Sequence, residues 1–190
     1  MEEKILYRAQ ITHTEKTIER LYKTQYYAYE KLRVLLRIAL GLALAVAAIL
    51  LSIPTWAKVL LLLLGTWLFA SGDFPAAVRA DRALSERKAE LPHMQYAFGA
   101  DGVRLEGEGS MDIPYKNFTR LTEDTDYLYL FVTRDSVCML ERASISPPPD
   151  TELMQFLAEK TGLAWRREKG FLSMNFYDIL QMFRDARGKE

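Results

Sequence analysis

Apolar side chains are concentrated in one block of the chain. Between Ile38 and Gly72 the only charged residue is Lys58, and Pro54 divides the block into two arms, Ile38–Ile53 and Val59–Ser71. Proline has no N–H and its ring clashes with the preceding turn, which disfavours one helix through Pro54 but allows a second helix to begin there. A helix rises about 1.5 Å per residue and a bilayer's hydrocarbon core is about 30 Å thick. Extended by Val34, Leu35 and Leu36, with Arg37 snorkelling back to the headgroups, the first arm becomes a candidate span over 34–53. The second, counted from Pro54 with Lys58 reaching outward, becomes 54–73. The pattern thus predicts a two-helix transmembrane hairpin. The competing reading is a pair of core helices in a soluble protein, which normally keep a polar face. Trp56, Trp67, Tyr27 and Tyr29 suit membrane interfaces.

Charge around the block sets the expected orientation. Lys31, Arg33 and Arg37 lie at its start and Arg79, Arg82, Arg87 and Lys88 follow it, while the turn carries only Lys58. Positive charge marks the cytoplasmic side, so both termini are expected in the cytoplasm and the chain in the inner cell membrane. The block starts too late, and lacks the small-residue cleavage pattern, for a removed signal peptide. Gly41, Ala43, Ala45, Ala47 and Ala48 should let the first arm pack closely on the second or on a copy of itself. Neither arm holds Asp, Glu or His, the usual marks of an ion path.

The flanks are polar and patterned. Lys4–Ile11 reads as a strand, and Thr12 followed by Glu15 as a capping box. Ile18, Leu21, Tyr22, Gln25, Tyr29 and Leu32 then recur at helical spacing, with no Gly or Pro before Gly41. Residues 1–33 are therefore expected to form a cytoplasmic strand and an amphipathic helix that runs on into the first arm. A charged connector, 74–92, is helical over Pro75–Glu90. From His93 the period becomes two: Met94, Tyr96 and Phe98, then Val103 and Leu105, then Met111, Ile113 and Tyr115, with glycines at the turns. Tyr127–Val132 and Val137–Glu141 form another strand pair. After Pro147–Pro149, Asp150 caps a helix bearing Leu153, Phe156 and Leu157 on one face and ending at Gly162. Residues 93–166 thus read as consecutive antiparallel strands closed by a helix. Over 167–190, Phe176, Ile179, Leu180 and Phe183 mark an amphipathic helix that docks on its own domain, a partner groove or the membrane.

Tyr96–Val103, the run Ile113-Pro114-Tyr115-Lys116-Asn117-Phe118, Leu128–Phe131 and Met139–Arg142 carry a resemblance. In their order they resemble the YcxB-like family of small bacterial membrane proteins, best over 94–158. Tyr115 and Asn117 depart from an Ile-x-Trp-x-Asp-Ile-like run, and Glu141-Arg142 replaces a common Pro-Lys. The resemblance implies a pleckstrin-homology-like (PH-like) β-barrel or sheet as the soluble part. It lends no catalytic residues. With the hairpin it completes an α+β membrane protein.

Composition narrows the function by exclusion. The 25 Lys and Arg balance 25 Asp and Glu, against a nucleic-acid binder with its basic excess. The single cysteine, Cys138, precludes an intramolecular disulfide and reads as a small core residue rather than a nucleophile. His13 and His93 have no partners at zinc spacing, and Gly99, Gly102, Gly107 and Gly109 are turn glycines with no Lys-Ser/Thr after them. Glu106, Glu108, Asp112, Glu123, Asp124 and Asp126 lack the spacing of a calcium loop and read as a solvated rim. No metal, cofactor or catalytic set is indicated, and no enzyme is expected. Lys31, Arg33, Arg37, Arg79, Arg82, Arg87 and Lys88 are the candidate site, contacting anionic lipid headgroups or only fixing topology. The expected function is a membrane-anchored cytoplasmic binding or scaffold protein, whose partners are the lipid bilayer and a protein or a second copy. The alternative is an accessory or oligomeric subunit of a transport complex.

Overall fold

The computed structural model describes residues 5–86, 91–107 and 109–167. Among them the chain is α+β, with five helices and two four-stranded sheets, and divides into a sheet unit (5–21 with 84–167) and a helical unit (22–83).

In the sheet unit, β1 (Tyr7–Thr12), β2 (His93–Phe98), β3 (Gly102–Glu106) and β4 (Ser110–Pro114) form an antiparallel sheet in that order. β1 pairs across a large sequence separation, Tyr7 with Phe98 and Thr12 with His93. Ala9 and Ile11, Tyr96 and Phe98, Val103 and Ile113 are buried at alternate positions, as expected of strands with one face in a core. The second sheet has the order β7 (Val137–Glu141), β6 (Tyr127–Phe131), β5 (Arg120–Glu123), β8 (Trp165–Arg167). Its central residues are buried in unbroken runs, Leu128–Phe131 and Cys138–Leu140, so both faces are covered. Helix α5 (Asp150–Thr161) contributes Leu153 and Leu157, both fully buried, and its Phe156 ring lies 5.5 Å from that of Tyr7 and 5.7 Å from that of Tyr115.

The barrel expectation is corrected: the strands make two sheets and no closed barrel. Pro114 has no N–H to donate, and a 3-10 turn over Tyr115–Asn117 breaks the strand, so β4 and β5 join different sheets. An isolated bridge links the sheets at one corner, where Arg8 and Ser146 exchange backbone hydrogen bonds of 2.7 and 2.8 Å. The second sheet is not wholly antiparallel either, because β8 runs parallel to β5. Gly162, at φ 69°, ends α5 in the left-handed conformation that glycine adopts without a Cβ penalty, and the chain returns as β8. The Trp165 indole N–H donates to the Met154 carbonyl at 2.8 Å and fixes that return. Asp150 stands at the start of α5 without capping it; its carboxylate is engaged by Arg142.

Two expectations about the first helix also change. The capping box lies at Thr14 and Thr17: each hydroxyl oxygen accepts from the other's backbone N–H, at 3.3 and 2.7 Å. Thr12, being in β1, uses its hydroxyl on His93 Nδ1. Nor does the helix run smoothly into the first apolar arm. α1 (Glu15–Tyr29) and α2 (Lys31–Leu50) are separated at Glu30, whose backbone (φ −113°, ψ 32°) leaves the helical region. The hydrogen-bond ladder survives on both sides, Glu30 N–H to Tyr26 and Val34 N–H to Glu30. No Gly or Pro causes this break; the side chain of Glu30 is buried and held by two arginines.

In the helical unit α2 packs antiparallel on α3 (Thr55–Ala70): Arg37 donates to the Ser71 carbonyl, and Gly41 faces Gly65 and Phe69 at close range. A Cβ on Gly65 would stand 3.1 Å from the Gly41 carbonyl oxygen, so small residues set the separation here. Gly41 and Ala48 are buried in this contact face while Ala43 is exposed. At the base of the pair, Tyr26, Tyr27, Val34, Leu35, Ile38 and Ala76 form a core with Phe69 against it. By length and apolar composition α2, with 20 residues, can cross a membrane. α3 has 16 residues, about 24 Å, and is followed after a 50° bend by α4 (Phe74–Glu86).

Candidate functional site

Of the candidate basic residues, Arg33, Arg37 and Arg79 meet at the base of the helical pair, where the protein itself engages them. Glu30, 4% exposed as a side chain, accepts from Arg33 and Arg79, both at 2.5 Å. The two partners differ in environment: Arg33 is 67% exposed and Arg79 31%. Because Arg79 sits on α4, this carboxylate fastens α4 to the α1–α2 break. Asp73, at the bend between α3 and α4, takes a hydrogen bond from the Tyr27 hydroxyl and an ion pair from Lys23, both on α1. Arg37 donates to the Ser71 carbonyl at 2.9 Å, satisfying one of the orphan acceptors at the end of α3. Three polar ties therefore join α1, α2, α3 and α4 at one level.

This changes the chemistry available to the predicted site. Arg33, Arg37 and Arg79 serve as internal fasteners, and of these Arg33 presents most surface to its surroundings. Lys31 is half-buried and Arg82 exposed. Arg87 and Lys88 lie outside the described residues, as does the predicted 167–190 helix apart from Arg167, which belongs to β8. The sequence reading counted arginines and missed Glu30 and Asp73, which organise them. Their signal was present, since Asp73 is the first acid after the apolar block and Glu30 the last before it.

The carboxylates read as a solvated rim are largely paired as well. Arg20 reaches Asp124 at 3.0 Å and Asp126 at 2.6 Å, and lies over the Tyr127 ring. Arg142 is a second hub. Its Nε donates to Asp150 at 2.6 Å, and its Nη1 donates to Glu123 at 3.0 Å and to the Asp124 carbonyl at 2.9 Å. It thereby ties the end of β7 to β5 and α5. Burial works to lower the Arg142 pKa, but the Asp150 hydrogen bond and the charges of Asp150 and Glu123 outweigh it and leave the pKa raised. Arg104 pairs with Asp112 across β3 and β4. The rim is organised because guanidinium forks match carboxylate geometry and tie neighbouring strands together.

Cys138 is buried within β7, and burial pushes its thiol up to about 12, far from nucleophilic use at neutral pH. Among the described residues no group of three or more His, Cys, Asp or Glu could hold a metal ion. A shallow cleft of about 200 Å³ lies along β2, β3 and β4, lined by Ala97, Gly99, Asp101, Arg104 and Asp112 among others, and nothing in its lining forms a nucleophile–base pair.

No curated protein and no solved structure matches the chain. The model of the YcxB-like protein family matches residues 98–157, from the last residue of β2 through the buried face of α5, and over that segment the chain is similar to that family.

Proposed function

We propose that this is a membrane-anchored binding or scaffold protein, with α2 and α3 as a hairpin in the inner membrane and a PH-like domain on the cytoplasmic side. The observation that carries the proposal is the exposure of the hairpin. Only 28% of the apolar window of α2 is buried, and α3 buries Gly65 alone among its residues. Leu36, Leu40, Leu60, Leu63 and Leu64 are all exposed. A core helix of a soluble protein buries its leucines, and soluble proteins seldom expose a continuous apolar surface of this extent. The hydrocarbon interior of a bilayer covers it at no desolvation cost. Trp56 and Lys58 at the tip, and Trp67 with the charged ties at the base, suit the two interfaces.

The shortness of α3 is compatible with this reading, since Lys58 can snorkel and short spans are accommodated at a modest cost per ångström. Two four-stranded sheets, with α5 between β7 and β8, support the PH-like description of the soluble part. A protein partner or a lipid headgroup is the expected target of the soluble part. Cell fractionation with carbonate washing, followed by protease protection in vesicles of known orientation, tests the proposal. Retention in the membrane with the sheet domain cleaved from the cytoplasmic face is expected. A soluble chain, or a sheet domain protected from that face, would overturn it. Affinity purification from crosslinked membranes then asks for the partner.

A further inference from the structure

We infer that the first two turns of α4 cross the membrane interface obliquely, with Phe74 and Val78 facing the lipid. The inference rests on the membrane reading above. α4 leaves α3 at a 50° bend and carries Arg79, Asp81, Arg82 and Glu86, which favour the polar side of the interface over the hydrocarbon. Ala76 belongs to the core at the base of the hairpin, and Arg79 is held by Glu30, which fixes the rotation of α4 about its axis. With that face inward, Phe74 and Val78, one turn apart, point outward and are 61% and 46% exposed. Trp67, near the end of α3, is likewise 61% exposed. Asp81 and Arg82, exposed in the next turn, carry opposite charges. The contact is therefore apolar, and a neutral lipid surface suffices for it.

Single cysteines at Phe74, Val78 and Leu63, made in the full chain with Cys138→Ala and carrying a nitroxide, test this in phosphatidylcholine vesicles. Collision rates with oxygen and with a water-soluble nickel chelate report the depth of each label. All three replaced side chains are exposed, so the label does not disturb the core. Labels at 74 and 78 are both expected at shallow depth within the lipid, and the label at 63 deeper. Labels at 74 and 78 as open to the nickel chelate as a label in water would overturn the inference alone. Shielding of 74 and 78 from both reagents, as under a protein partner, also overturns it. A label at 63 exposed to water would overturn the membrane reading itself.

Discussion

Replacing Gly65 by valine tests whether close backbone contact holds α2 and α3 together. Gly65 meets the Gly41 carbonyl, and an added Cβ would sit 3.1 Å from that oxygen, with Leu44 Cβ at 3.7 Å and Ala45 N at 3.9 Å. Ordinary contact begins near 3.4 Å, so Gly65→Ala needs the helices to part by only a few tenths of an ångström. Its steric cost is opposed by the better helix propensity of alanine, about 1 kcal/mol, and the net effect is expected near zero. Valine gains less in propensity and adds two methyl groups that cannot avoid the facing backbone. Overpacking of that kind costs about 1–3 kcal/mol. Separation of the helices also forfeits dispersion contacts along the seam, which in a membrane are the main attraction between them. The assay is unfolding of the purified protein in mixed micelles with increasing SDS, followed by far-UV circular dichroism and by Trp56 and Trp67 fluorescence. The expected order of stability is Gly65 about equal to Gly65→Ala, with Gly65→Val lower by about 1–3 kcal/mol. A valine variant within about 0.5 kcal/mol of the parent would refute the argument, since surface substitutions without a steric role fall in that range.

Three other consequences are open to measurement. Glu30→Ala should destabilise the helical unit by about 1–3 kcal/mol in the same assay, because it strands the partly buried Arg79, whereas Arg33→Ala should cost less than about 1 kcal/mol since that partner is mostly in solvent. Equal effects would show that burial of Arg79 does not matter. Arg142→Met should lower the stability of the sheet unit by about 2–4 kcal/mol through loss of the Asp150, Glu123 and Asp124 contacts, read by hydrogen exchange of β5, β7 and α5; unchanged protection there would count against the hub. The Cys138 thiol should add a pH dependence: the unfolded thiol ionises near its ordinary 9.0 and the folded one at about 12, so above 9 the folded state binds more protons and stability falls as pH rises towards 12. Cys138→Ala should lose that part of the alkaline slope, and identical slopes in the two proteins would disprove the assignment.

Linear pattern was enough for most of the elements, though not for the starts of α1 and α5, whose caps lie at Thr14 and Pro149 rather than at Thr12 and Asp150. The apolar block and its break at Pro54 dictated two helices, period-two alternation dictated β2 and β3, the apolar runs Tyr127–Val132 and Val137–Glu141 dictated the β6–β7 pair, and Gly162 dictated where α5 stops. The YcxB-like resemblance was carried by these same strands, because residues buried on a sheet face are recognisable in order. β8 was hidden, since Trp165–Arg167 is three residues long and is a strand only because β5 offers it an edge. Tertiary structure alone decided the rest. The division into two sheets depends on a turn at Tyr115–Asn117 that breaks no apolar pattern. The break at Glu30 depends on a carboxylate burying itself between arginines at +3 and +49 in the chain. Likewise the basic residues, countable in the sequence, became fasteners or surface only once Glu30, Asp73 and Ser71 were brought beside them. Patterns of hydrophobicity record which side of an element is wet; which opposite charges meet is set by long-range proximity, and no local period encodes it.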